Sequence, residues 1–297
     1  MPYKYDDRWH SRARKFIEDK VRCGRLYPDA AGQYRRWLHL AWTRLNEPDP
    51  ETVTLSQLEE LEGNWDLDEN TLAIRCRVVR DFLRFCKNPA AQHWEIRSRT
   101  HPKEDRLFLS EEAVKDLRPL AQELGPDVEL IYSLGVDNSL RCGDIARITF
   151  QEAKELLWKG QAMITCKGRR GGKRRLLIMS NATREPLRKW LIKRDAMVQR
   201  FGTDPGGLML TVNRKELHNM SPKCVARRVT KLGKKAGIDL RSHDLRATFG
   251  NRHWKAKTDL LTIAALMGHE TPDQTFRAYI GVRQGDMRDA QDKLSGG

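Results

Sequence analysis

Apolar residues recur at three- and four-residue intervals through much of this chain, the period that gathers them on one face of a helix. Tyr34, Trp37, Leu38, Ala41 and Leu45 make one such stripe, and Leu72, Cys76, Val79, Leu83 and Cys86 make another. Basic residues fill the intervening positions: Arg35, Arg36 and Arg44 in the first stripe, Arg75, Arg77, Arg80, Arg84 and Lys87 in the second. The amino-terminal third therefore reads as helices with a basic outer face. Between Ser98 and Arg106 the period lapses into a polar, proline-bearing run. The expected organisation is a helical domain over 1–98, a linker over 99–108 and a second domain over 109–297.

The second domain opens with Ser110 as a helix N-cap, followed by Glu111 and Glu112, whose carboxylates suit the positive end of the helix dipole. Helical patterns follow around residues 111–124, 127–134, 182–200, 222–236, 244–255 and 258–267. Three short runs have β character instead: Arg147-Ile148-Thr149-Phe150, Met163-Ile164-Thr165-Cys166 and Leu176-Leu177-Ile178-Met179. The last two flank a glycine-bearing turn from Lys167 to Arg175. The expected fold is mostly α with a small antiparallel β-sheet of about three strands, a helical amino-terminal module joined to an α+β domain.

Charge narrows the class of partner. Lys and Arg number 55 against 40 Asp and Glu, a formal charge of +15, and such an imbalance favours a polyanion bound with release of its counterions. Eight tryptophans and 39% hydrophobic residues mark a folded protein rather than a disordered basic tail. The six cysteines form no C-x-x-C pair and have no histidine at zinc-finger spacing, so neither a disulfide framework nor a zinc module is expected. The start of the chain lacks the apolar run of a secretion signal, and no stretch approaches the roughly 20 apolar residues that span a bilayer. The reading is a cytoplasmic, nucleoid- or DNA-associated protein with no membrane partner.

The chemistry sits in a series of short motifs: Leu140-Arg141-Cys142-Gly143-Asp144, a basic turn with Lys167, His243-Asp244-Leu245-Arg246, Leu266-Met267-Gly268-His269, and then Tyr279. Singly each is commonplace; an H-x-x-R on a helix is usually a surface pair. Together they hold a phenol, two guanidiniums and several proton carriers. Attack on a phosphodiester builds negative charge on two non-bridging oxygens, which planar guanidiniums hold bidentately while staying charged. A phenol with an ordinary pKa near 10 needs a base and nearby cations before it attacks at neutral pH. Asp144, three residues after Arg141, is placed to orient it within one helical turn. A lysine crowded by Arg169, Arg170, Arg174 and Arg175 could protonate the leaving 5′ oxygen; the plainer reading of that turn is a loop holding DNA phosphates.

In this order the motifs resemble the active-site series of the tyrosine recombinase (phage integrase) family, over roughly residues 110–285. The resemblance implies Arg141, Lys167, His243, Arg246 and His269 as catalytic residues, Tyr279 as nucleophile and Asp144 in support. Lys173 lies in the same turn as Lys167 and competes for the lysine role; Lys167 directly follows the strand. Two local departures stand out: Val136-Asp137-Asn138-Ser139 intervene between Gly135 and Leu140, and Tyr279 lies ten residues after His269, about one more than usual. The amino-terminal module corresponds only in size to the family's core-binding domain.

The implied activity is site-specific DNA recombination through a 3′-phosphotyrosine intermediate, for integration, excision or resolution, in the manner of a mobile-element enzyme. No cofactor or metal is called for, since there is no G-x-x-x-x-G-K-[ST] loop and no evident carboxylate cluster. The implied partner is double-stranded DNA, contacted by Arg169, Arg170, Lys173, Arg174 and Arg175 in the turn and by Arg35, Arg36, Arg77, Arg80 and Arg84 in the amino-terminal module. The implied assembly is a homo-tetramer on DNA and a monomer or weak dimer when free, with the short amphipathic tail after Tyr279 docking on a neighbouring protomer. Two other readings remain: a type IB topoisomerase, which would rejoin the same strand, and a non-cleaving DNA-binding regulator of the same fold.

Overall fold

The computed structural model describes residues 8–97, 107–166 and 173–269, together with Pro272 and Thr275; the side chains of Asp29 and Lys173 lie outside that description. The chain forms two compact units, Met1–Pro102 and Lys103–Gly297.

In the first unit the described helices are α1 (Arg8–Arg22), α2 (Pro28–Arg44), α3 (Leu55–Gly63), α4 (Glu69–Phe85) and the single turn α5 (Ala90–His93). The stripes of α2 and α4 turn inward: Leu38, Ala41, Cys76, Val79 and Leu83 are buried, joined by Trp9 and Phe16 of α1 and Leu58 of α3. Trp9 meets Phe82 edge-on with ring centres 4.9 Å apart and donates its indole N–H to the Leu38 carbonyl at 3.1 Å, so the buried ring leaves no unmet polar group. Local sequence sets the helix starts. Thr54 and Gln57 form a reciprocal capping box on α3, and Asp68 accepts from the Thr71 N–H at 3.0 Å on α4.

In the second unit Ser110 caps α6 (Glu111–Leu124) by accepting from the Ala113 N–H at 3.1 Å. The centre of the unit is α7 (Pro126–Val136), in which every residue from Val128 to Val136 is buried and which packs on α6, α10 (Asn181–Phe201), α11 (Pro222–Lys235) and α12 (Ser242–Lys255). A helix apolar on all sides belongs inside a helical layer. The remaining helices are α8 (Cys142–Ile145), α9 (Phe150–Lys159) and α13 (Leu260–Met267).

Strands β1 (Gln161–Cys166) and β2 (Lys173–Ile178) pair antiparallel, with Ala162 opposite Leu177, Ile164 opposite Arg175 and Cys166 opposite Lys173. The expected third strand at Arg147–Phe150 is absent. Thr149 alone makes an isolated bridge, to Gly207, and α9 begins at Phe150. The cause is a capping box: Glu152 accepts from the Thr149 N–H at 2.7 Å while Thr149 Oγ1 accepts from the Glu152 N–H at 3.1 Å. A second hairpin, β3 (Leu210–Asn213) with β4 (Glu216–Asn219), stands where no strand is expected from the sequence. Its two turn residues, Arg214 and Lys215, take φ of 49° and 67°, the geometry of a type I′ turn without the usual glycine.

Candidate active site

Three connections, α7 to α8, α11 to α12 and the end of α13, bring the motif residues together. The extra residues after Gly135 build the first connection. Asp137 at the end of α7 is paired with Arg118 at 2.7 Å and Arg252 at 3.5 Å. Asn138 donates to the Ile178 carbonyl at 3.0 Å and accepts from the Thr183 hydroxyl at 2.5 Å. Ser139 takes φ of 57° and is buried, turning the chain so that Leu140 enters the core and Arg141 leaves it.

Arg141 occupies the N-cap position of α8, its side chain 36% exposed, with Nη1 3.9 Å from Oδ2 of the fully buried Asp144. That distance is a charge contact rather than a hydrogen bond. Arg246 is the opposite case, wholly buried within α12. Its Nη1 donates to the Ser139 carbonyl, and its Nη2 donates to the Met267 carbonyl at 2.7 Å and meets His269 Nε2 at 2.7 Å. Ser139 lies two residues before Arg141, so Arg246 is tied to the loop that carries the other guanidinium.

A guanidinium can only donate, so the Nε2 that faces it holds its lone pair toward Arg246 and the ring proton sits on Nδ1. That Nδ1–H points to the hydroxyl of the buried Thr275 at 2.6 Å. His269 is thus held by a donor on one nitrogen and an acceptor on the other. His243, in the first turn of α12 and one turn from Arg246, is exposed. Asp244 beside it is buried and accepts from the Arg241 N–H at 2.7 Å; burial raises its pKa above the ordinary carboxylate value. Burial also raises the thiols of Cys142 and Cys166, neighbours of Arg141 and Lys167 in the chain, away from thiolate. All six cysteines are free.

The arrangement brings Arg141, Asp144, Arg246 and His269 into one linked set, with His243 on the same helix as Arg246. Lys167, Arg169, Arg170 and Tyr279 lie outside the described residues, and Lys173 is described only as backbone of β2. Arg174 is exposed and reaches the Met163 carbonyl at 3.3 Å, whereas Arg175 turns inward to the Leu266 carbonyl at 3.3 Å. In the first unit Arg35, Arg36, Arg77 and Arg84 are exposed, and half-buried Arg80 donates to the Trp94 carbonyl at 3.4 Å. Ser139 and Thr275 are site components outside the motifs, while Met267 and Arg175, named in the sequence, enter the site in ways it does not announce, one through its backbone carbonyl and the other through a contact made only on folding. Among the described residues no group of three or more His, Cys, Asp or Glu is placed to hold a metal ion, and no helix is long and apolar enough to cross a membrane.

A set of two guanidiniums, an imidazole and a supporting carboxylate on this helical scaffold defines a class, and the chain belongs to it: residues 108–285 match the phage integrase family. Among individual relatives, the tyrosine recombinase XerA of Pyrococcus furiosus is 26% identical over 200 residues, which cover 67% of this chain. XerC of Corynebacterium glutamicum is 25% identical over 241 residues, covering 80% of this chain and 67% of XerC. Against the XerA proteins of P. furiosus, Pyrococcus horikoshii and Saccharolobus solfataricus the match spans 66%, 62% and 47% of the relative, less than two thirds of each. Solved structures share the fold. The Tn1549 transposon integrase in complex with a circular intermediate DNA superposes with a TM-score of 0.69 at 14% identity, covering 95% of this chain and 99% of that one. The XerH site-specific recombinase bound to its difH substrate gives 0.63 at 15% identity, covering 95% and 84%.

Proposed function

We propose that this chain is a site-specific DNA recombinase of the tyrosine type, which cuts and rejoins one DNA strand at a time. The observation that carries the reading is the contact of Arg246 with His269, tied through the Ser139 carbonyl to the loop bearing Arg141. In the reaction the Tyr279 oxygen attacks the scissile phosphorus as a nearby base takes its proton. Arg141 and Arg246 hold the two non-bridging oxygens as charge builds on them. The bond from phosphorus to the 5′ oxygen breaks, and Lys167 gives that oxygen a proton. The products are a 3′-phosphotyrosine and a free 5′-hydroxyl, and attack by another strand's 5′-hydroxyl reverses the step with no outside energy source. Asp144 holds Arg141 from beneath, His243 completes the hydrogen-bonding shell of the phosphate, and His269 acts through Arg246, which it holds in place.

Double-stranded DNA is the partner in this reading. Arg169, Arg170, Lys173 and Arg174 track its backbone beside the site, and Arg35, Arg36, Arg77, Arg80 and Arg84 do so from the amino-terminal domain over 1–98, joined by the linker over 99–108 to the domain over 109–297. Exchange between two duplexes needs four active sites, so the working form is a homo-tetramer on DNA, with the tail beyond Tyr279 seated on the next protomer in a closed ring. The Tn1549 transposon integrase bound to a circular intermediate DNA and XerH bound to its difH substrate support DNA as the partner.

The test is incubation with a pool of nicked duplexes from which the cleaved strand's end diffuses away, so that the covalent adduct accumulates. Peptide mapping is expected to place the adduct on Tyr279, and a Tyr279→Phe protein is expected to form none while still binding DNA. An adduct on another residue, or cleavage unchanged in Tyr279→Phe, removes the proposal.

A further inference from the structure

Arg175 stands where strand geometry calls for an apolar side chain. It pairs with the fully buried Ile164, and its same-face neighbour on β2 is the buried Leu177. The outer face carries Leu176 and Ile178, 48% and 55% exposed. The hairpin is inverted at this point, with the charge inside and the apolar residues outside.

Inside, Arg175 Nη1 donates to the Leu266 carbonyl at 3.3 Å, one residue before the Met267 carbonyl that Arg246 holds at 2.7 Å. Its side chain runs under Gly268, where an added Cβ would fall 2.4 Å from Nη1 and 2.7 Å from Cδ, and Gly268 takes φ of +65° as it closes α13. The next residue is His269. Two guanidiniums, one from β2 and one from α12, therefore grip successive carbonyls at the end of α13, directly before the imidazole that meets Arg246. The Cys166 thiol, opposite Lys173 on the paired strand, lies close to Arg175 and to Asp144.

Stability does not account for this arginine. Its Nε and Nη2 are buried and meet no nitrogen or oxygen acceptor among the described residues, with only the weak acceptor of the Cys166 thiol beside the guanidinium. Buried donors left unmet are a cost, and an apolar side chain of similar length would fill the same face without it.

We propose that Arg175 is a positioning residue, which fixes the carboxyl end of α13 so that His269 stays seated on Arg246 during strand cleavage. The inference rests on the recombinase reading above. It gives Arg175 a task on the protein's own backbone and not on DNA phosphates, and it acts through His269.

A double-variant cycle on the full chain tests it, with adduct formation on the nicked duplexes, DNA binding and melting temperature measured for wild type, Arg175→Met, His269→Gln and the double variant. Arg175→Met is expected to melt and bind DNA as wild type does while cleaving about 10²-fold more slowly, the penalty of a reacting group misplaced by about 1 Å. Once His269 is gone, removing Arg175 costs nothing further, so the double variant is as slow as the slower single. Arg175→Lys, which keeps a cation and a donor for Leu266, recovers part of the rate and serves in the cycle if Arg175→Met melts too low. Wild-type cleavage by Arg175→Met, losses that multiply in the double variant, or binding lost in step with cleavage each overturn the proposal. Failure of the recombinase reading is separate and visible, since wild type then gives no Tyr279 adduct.

Discussion

Arg141 and Arg246 serve one proposed clamp from opposite surroundings, and their alanine variants should differ accordingly. Arg141 is partly exposed and has one long charge contact, so Arg141→Ala is expected to keep its melting temperature and DNA binding while losing cleavage by about 10²-fold or more. Arg246→Ala loses cleavage too, but it also strands the Ser139 and Met267 carbonyls inside the protein. The added destabilisation is about 1–3 kcal/mol, which calorimetry reads as a lower melting temperature. An Arg246→Ala protein as stable as wild type would show that those two bonds carry no weight. At this scale the sequence is most legible where a side chain is proposed to do the chemistry: Arg141, Asp144, His243, Arg246 and His269 are readable as an ordered series. Ser139 and Met267 are not, since any residue type offers a carbonyl. Thr275 meets His269 through a side-chain contact that no motif spacing announces.

Among elements, α4 is legible from its apolar stripe and α6 from its cap at Ser110, whereas the short α3 escapes notice despite the capping box of Thr54 and Gln57. Two misreadings have local causes. Thr149-Phe150 has β-prone composition, but the capping box with Glu152 outweighs composition and begins α9. The β3–β4 hairpin escapes notice because Arg214 and Lys215 supply the positive φ values that glycine or asparagine would have advertised. Glycine decides a different junction. A Cβ on Gly233, near the end of α11, would lie 2.6 Å from Leu240 Cβ and 2.7 Å from the Ile238 carbonyl oxygen. Backbone cannot step aside as a side chain can, so this contact outweighs the gain of about 1 kcal/mol that alanine brings inside a helix. Gly233→Ala is expected to lose about 1–3 kcal/mol in urea unfolding, and cleavage should weaken as well, because that turn delivers His243 and Arg246. Equal or greater stability than wild type would refute the packing argument.

For the molecule as a whole, the charge of +15 predicts how the DNA complex responds to salt. With about six or more phosphates neutralised, affinity should fall on the order of 10³-fold between about 50 and 200 mM salt; fluorescence anisotropy on duplexes of several sequences measures it. A flat response would mean that the surplus cations face something other than DNA. Sequence alone conveyed this polyanion preference, yet it could not tell a cation on the surface from one kept inside, as at Arg174 and Arg175. That distinction has a practical edge for anyone redesigning the protein. Routine idealisation of the β1–β2 hairpin would write leucine for Arg175 and polar residues for Leu176 and Ile178, giving an apolar inner face and a polar outer one. If Arg175 holds the end of α13 as proposed, the redesigned protein would keep its fold with its histidine unmoored, a case in which the apparent flaw in the blueprint is the part to leave alone.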